Sequence, residues 1–323
     1  GLVVSGGYVP ISQSDSAIEL RANPYYWAGP PALGTIQFVT DTGGESPVAL
    51  FESEQVDWIN IGAFDASWIA YDRGLGPQLR HAEAFSVDYY GFDTRRAPFS
   101  DPLVRQAVAK AVDWHRLATL SDADADPATS LIPAGIPGRG EEDFSPIHDP
   151  DAARAALAQA GFPGGVGFPE ITLASSGLPY DEAVARILKE ELGVTVNVEI
   201  RPFDEYTRLL DTDTPEMWEV SWIADYPAPQ DFLGLLLESG SSSNEGGWSD
   251  ADFDAALAAA AATDDPVEQA AHYADAQRIV QDQAPVIPVS YGESWALSRE
   301  GLLGAQESGV GFIRFAGLDR TDQ

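Results

Sequence analysis

Hydrophobic and polar positions change period along this chain, and each change marks an element. Val104, Ala107, Val108 and Ala111 fall at i, i+3, i+4 and i+7, one face of a helix. Asp101-Pro102 just ahead supplies an N-cap and then a proline at the first helical position, where the missing N–H costs nothing. Asp149-Pro150 repeats the device, and that helix should run through Leu157 and stop at Gly161. A further helix is expected over 180–192, closed by Gly193. The period then drops to two: Val194, Val196, Val198 and Ile200 alternate with Thr195, Asn197 and Glu199, as in a half-buried strand. Residues 217–222 read as another strand. Helices near 231–237, 250–262 and 266–283 follow, then a strand at 286–290. Alternating helix and strand signals over 94–284 describe an α/β region.

The first ninety residues are patterned differently. Short strand candidates at 18–20, 36–39, 56–61 and 86–92 are separated by turns such as Gly29-Pro30-Pro31, with one helix near 47–54. The last forty residues, with a strand, Gly-rich loops and the 312–315 segment, resemble this part more than the middle. A chain of 323 residues carries a prior of about two domains. The expected layout is a first lobe from 1–93 and 285–323, with 94–284 inserted as a second lobe. No internal repeat is visible, and 121–130 and 239–247 read as polar loops.

Charge narrows the partners. Lys and Arg number 18 against 51 Asp and Glu, a formal net charge of −33. A duplex binder needs a basic footprint, and the densest basic spot is Arg95-Arg96, so nucleic acid is excluded as a partner. Anionic membrane surfaces are disfavoured for the same reason, whereas cationic or zwitterionic ligands are modestly favoured. Hydrophobic residues at 44% are enough for a globular core. No apolar run approaches the roughly 18 residues of a membrane span. The absence of cysteine removes thiol catalysis and Cys-based metal sites. The start Gly1-Leu2-Val3-Val4 has no Met and no basic leader, which reads as a processed or truncated product.

The search for catalytic chemistry finds no anchor. Asp122, Asp124 and Asp126 match the first ligand positions of a calcium loop, but Pro127 stands where the loop needs Gly and Pro133 where it needs Glu. A solvated acidic loop is the preferred reading. His81, His115, His148 and His272 are scattered, without zinc-ligand spacing. Gly135, Gly138 and Gly140 lie in a Pro-rich loop, as do Gly164, Gly165 and Gly167, without the strand and helix that a phosphate cradle needs. Neither an enzymatic activity nor a cofactor nor a metal is expected.

One segment stands apart: Met217-Trp218-Glu219-Val220-Ser221-Trp222-Ile223-Ala224-Asp225-Tyr226-Pro227-Ala228-Pro229-Gln230-Asp231-Phe232-Leu233. A strand ends in a turn carrying aromatics and a carboxylate, and a helix begins. Aromatic walls beside one charged group suit a cleft that grips a ligand cation. Equally, the aromatics could be core and Asp225 could simply shape an Asp-Tyr-Pro turn.

This segment resembles the Trp-x-Ala-Asp-Tyr-x-x-Pro turn of the peptide and oligopeptide solute-binding proteins of ABC importers, the family 5 extracellular solute-binding proteins. Other stretches are similar to the family's landmarks, in its order: Gly6-Gly7-Tyr8; Leu20-Arg21-Ala22-Asn23-Pro24-Tyr25-Tyr26-Trp27-Ala28-Gly29; Glu54-Gln55-Val56-Asp57; Gly91-Phe92-Asp93-Thr94 through Pro98-Phe99-Ser100-Asp101-Pro102-Leu103-Val104-Arg105-Gln106-Ala107; and Ala284-Pro285-Val286-Ile287-Pro288. Asp93 stands for the usual Asn and Gly7 for the usual Pro. Family members are longer, and Gly6-Gly7-Tyr8 matches a place well inside them. The upstream part would hold a secreted or lipid-anchored start and the rest of the first lobe.

The resemblance implies a type II periplasmic-binding-protein-like α/β fold, with one incomplete mixed lobe and one complete lobe. It implies capture of extracellular peptide in an interlobe cleft by an exported, monomeric, non-catalytic protein that delivers its cargo to a membrane permease. Asp225 would take the ligand's α-ammonium group, flanked by Trp222 and Tyr226. Trp218, Tyr90, Asn244, Trp248 and Tyr291 are further cleft candidates, and closure would bend near 93–98 and 284–288. The same fold could instead take an oligosaccharide, a nickel complex or an opine, with Trp218, Trp222 and Trp248 paving a sugar site. A ligand-sensing domain of a larger regulator is the remaining alternative.

Overall fold

A computed structural model describes residues 4–121 and 126–321. The chain divides into two compact units, residues 1–84 with 293–323 and residues 85–292. The borders fall at 84/85 and 292/293, where the pattern of the sequence puts them at 93/94 and 284/285. They cut through two long strands rather than through loops, and each of those strands contributes residues to both units.

The first unit opens with β1 (Tyr8–Gln13), β2 (Ala17–Ala22) and β3 (Thr35–Val39), an antiparallel meander. Helix α1 (Pro47–Glu52), strand β4 (Trp58–Ile61) and helix α2 (Ala63–Ile69) follow, before β5 (Leu79–Phe92) begins. A small core joins Val48 and Phe51 of α1 to Ile61, Ala66, Ile69 and Leu297. The alternation of the sequence finds β2, β3, β4 and α1. It misses β1, α2 and the first half of β5.

The second unit continues β5 into α3 (Pro102–Ala111), α4 (Trp114–Ser121) and the short β6 (Asp126–Pro127). Next come α5 (Pro150–Gln159), β7 (Ile171–Ser175), α6 (Asp181–Leu192), β8 (Val196–Ile200), α7 (Phe203–Thr212) and β9 (Met217–Ile223). Helices α8 (Pro229–Leu237), α9 (Ala251–Ala262) and α10 (Pro266–Gln283) lead to β10 (Val286–Ser298). The chain then returns to the first unit, where β10 pairs antiparallel with β4 and the short β11 (Leu302–Leu303) pairs with β12 (Asp319–Arg320).

The helix starts follow the local chemistry of the sequence. Asp101 accepts from the Leu103 N–H, Asp149 from Ala152, Asp250 from Asp252 and Phe253, and Asp265 from Val267 and Glu268. Each satisfies donors that a helix leaves unpaired at its first turn. Gly193 closes α6 in the left-handed region at φ 71°.

The sheet of the second unit runs β10-β5-β9-β7-β8. Strand β7 is parallel to both β8 and β9, and β5 is antiparallel to β9. From β7 the chain passes through α6 to β8 on one side, then through α7 to β9 on the other. The turn of direction lies between β7 and β9, and in open α/β sheets the crevice at the carboxyl ends of such strands is where ligands sit. One face of the sheet buries Phe92, Leu173 and Met217 with Val104, Val108, Leu157, Val184 and Leu188 of the covering helices.

Candidate functional site

The turn after β9 is built from its flanks inward. Strand β9 is held by β5 through Ile223, which pairs with Ser86, and the Ala224 N–H donates to the Phe85 carbonyl at 2.8 Å. On the other flank, Pro229 starts α8 at a position where proline needs no N–H, and Phe232 and Leu233 bury the helix face. Residues 224–228 are therefore pinned at both ends.

Within this turn Asp225 is exposed, Tyr226 is 41% exposed and Trp222 is half-buried. A residue that sequence reasoning missed organises them. Asp231 is wholly buried, and its Oδ2 accepts from Trp222 Nε1 at 3.0 Å and from the Asp225 N–H at 3.2 Å. The Tyr226 N–H also reaches it. Burial pushes the Asp231 carboxyl above the ordinary carboxylate range, against the lowering effect of those N–H donors. Burial, and then the nearby Asp231 and Asp225, push the Tyr226 phenol up. The signal for Asp231 was present in the sequence as an acid at the third position of a helix, but the direction in which it reaches back is tertiary.

The other expected site residues do not join this turn. Trp218 is buried at 2% exposure, edge-on to Tyr89, and its indole fills the space a side chain on Gly91 would need. Its N–H has no partner among the described residues. Tyr90 is buried on the opposite face, where its hydroxyl donates to Asp181 Oδ1 at 2.7 Å. Asn244 ties its own loop: Nδ2 donates to the carbonyls of Leu237 and Trp248, and Oδ1 accepts from the Trp248 N–H. Trp248 is buried edge-on to Phe253. Tyr291 is buried, and its hydroxyl accepts from the N–H groups of Thr129 and Ser130, pinning that loop.

At the carboxyl end of β7 lies a second polar group that the sequence did not single out. The Ser176 N–H and hydroxyl donate to Glu219 Oε1 at 2.6 and 2.8 Å, and the Ser175 hydroxyl lies within reach of both Glu219 and Asp181. Both acids are buried, which raises both carboxyls. In the next row, Ser290 Oγ donates to Asp88 Oδ2 at 3.0 Å and Ser221 donates to Asp88 Oδ1.

The calcium-loop reading falls largely outside the described residues, which exclude Asp122 and Asp124; Asp126 pairs with Tyr291 in the β6–β10 ladder. No group of three or more potential metal ligands occurs among the described residues. Nor is any helix among them long and apolar enough to cross a membrane.

Comparison with known proteins agrees with this architecture. The family model of the bacterial extracellular solute-binding proteins, family 5 Middle, matches residues 1–244. The chain is 27% identical over 309 residues to di/tripeptide-binding protein 2 of Pseudomonas aeruginosa, covering 92% of this chain and 57% of that protein. It is 26% identical over 315 residues to heme-binding protein A of Haemophilus influenzae, covering 95% and 57%. The chain thus spans little more than half the length of these curated relatives. A periplasmic binding protein of Helicobacter pylori, solved with a bound peptide, superposes with a TM-score of 0.78 at 20% identity, covering 98% of this chain and 62% of that one. That likeness fixes the fold as the type II periplasmic-binding-protein kind, mixed α/β. With three quarters of its length matched by the family model, the chain belongs to the family 5 bacterial extracellular solute-binding proteins.

Proposed function

We propose that this chain carries the ligand-gripping part of a substrate-binding component of an ABC importer, and that the ligand is a peptide. One observation carries the reading: Asp225 is exposed on a turn whose backbone and neighbouring indole are fixed by a buried carboxylate, at the carboxyl end of the strand where the sheet changes direction. An exposed carboxylate on a rigid turn is a ready acceptor for an α-ammonium group, and the net charge of −33 favours a cation there. Trp222 and Tyr226 supply aromatic walls to either side. The chemistry is recognition, with no bond made or broken. Delivery to permease subunits in the membrane, on its outer face, completes the role, and the chain acts as a monomer.

Once desolvated, such a charge-assisted contact contributes about 1.5–3 kcal/mol, or roughly ten- to hundredfold in affinity. Asp225→Asn is accordingly expected to weaken binding of free-amino peptides by that factor and leave the melting temperature nearly unchanged, measured by calorimetry. Acetylating the peptide's amino terminus should cost the wild type that factor and the variant little. Equal losses in both proteins would place the ammonium contact elsewhere. The likeness to a heme-binding relative makes a non-peptide solute the competing reading. Native against denaturing mass spectrometry separates the two, because a co-purified ligand then reveals its own mass.

A further inference from the structure

Asp231 is an awkward residue to bury. It is wholly inaccessible, Oδ2 accepts from Trp222 Nε1 and the Asp225 N–H, and the other oxygen, Oδ1, has no partner among the described residues. A buried acceptor left unpaired lowers stability, a cost that the donors on the other oxygen have to offset. An acid three positions into a helix ordinarily reaches back to the N-cap N–H. Here the N-cap is Ala228, and its N–H is taken by the Tyr226 carbonyl at 2.9 Å. The Asp231 carboxylate passes over it and lands on Trp222, Asp225 and Tyr226 instead.

We infer that Asp231 is a positioning residue of the binding turn: it touches no ligand, but it locks the Trp222 indole and the 225–226 backbone so that the Asp225 carboxylate is presented in one orientation. The lock works because its two ends are rigid. Trp222 sits in the β5–β9 ladder opposite Val87, and Asp231 sits between the buried Pro229 and Phe232 of α8. A hydrogen bond between two fixed elements costs little ordering of its own. Without it, the turn is tethered at its ends but free to reorient between them, and an ammonium contact then has to fix the turn as well as bind it.

The inference rests on the preceding reading for what the turn grips, and on geometry alone for what holds the turn. The test uses the 323-residue chain with Asp231→Ala, which removes the acceptor, and Asp231→Asn, which restores one oxygen. The Trp222 indole N–H, identified by its loss in Trp222→Phe, reports the contact with no ligand present. In Asp231→Ala its hydrogen exchange should speed up about tenfold or more, and in Asp231→Asn it should stay near the wild-type rate. Affinity for trialanine should fall about tenfold in Asp231→Ala, while affinity for acetyl-trialanine stays within about twofold of wild type. Should Asp231→Ala not fold, Asp231→Glu, which displaces the carboxylate by one methylene, carries the same expectations. Unchanged indole exchange overturns the inference, and so does an equal loss for both peptides. A wild type blind to acetylation removes the ammonium reading instead, and indole exchange then decides the positioning role by itself.

Discussion

Glu219 lies on β9 between Met217 and Ser221, and the period of a strand puts all three on one face. Its cross-strand partner is Tyr90, as Phe92 is the partner of Met217. The carboxyl therefore enters the core beside Asp181, where its donors are the hydroxyls of Ser175 and Ser176 and the Ser176 N–H. Burial raises the Glu219 carboxyl above its ordinary 4.5, and the neighbouring Asp181 adds to the rise. The Asp181 carboxyl is raised above 3.8, again first by burial. A carboxyl with a raised folded-state value holds its proton longer in the native than in the unfolded chain. Its contribution is fully present below the unfolded value and is lost as pH climbs through the folded one. Stability should thus fall with rising pH in the window that opens near 4.5. Glu219→Gln keeps the acceptor oxygen and removes the titration, so urea unfolding across that window should show a shallower slope in the variant. An unchanged slope would assign the pH dependence to other acids.

At the scale of elements, α3, α5, α9 and α10 begin where an aspartate caps them, and α6 ends where a glycine turns the chain. Gly193 combines a local and a distant requirement. Its φ of 71° suits glycine, and a Cβ there would stand 2.5 Å from the Gly164 carbonyl oxygen of the loop after α5. An L side chain in the left-handed region costs about 1–2 kcal/mol before any clash. Gly193→Ala should therefore destabilise by at least about 1 kcal/mol, read as a lower urea midpoint with an unchanged denaturant slope. A smaller loss would show that the loop yields. The closing glycine was legible because a helix end is decided by its own few residues. The approach of residue 164 was not, because it depends on how α5 packs beside α6.

Over the whole molecule, 51 acids face 18 bases, and among the described residues seven arginines lie in ion pairs. Arg154 bridges Asp151 and Glu191, Arg278 bridges Glu142 and Asp275, and Arg95 and Arg96 share Asp93. Exposed pairs of this sort contribute little each, so the unpaired acid excess dominates and repels itself. Raising salt from 10 mM to 0.5 M shortens the screening length several-fold. The melting temperature should rise over that range, and a fall would mean that the ion pairs outweigh the repulsion.

The sequence by itself determined what short stretches of chain decide: the capped helices, the alternating strands β2, β3 and β8, the acidic net charge, and the aromatic-acid turn at 222–226. These follow from side-chain period and backbone chemistry within a few residues. Tertiary structure decided which candidates are open to solvent. Trp218 and Trp222 stand four residues apart on β9 and share a face, so no period can separate them. Gly91 leaves room for the first indole to be covered, while the second lies where the strand gives way to the turn. Likewise Asp231 reads in the sequence as one more acid in a helix's first turn. Its reach to Trp222 and Asp225 exists only once β9 and α8 are both in place, because a contact between two elements is fixed by their packing and by neither element alone.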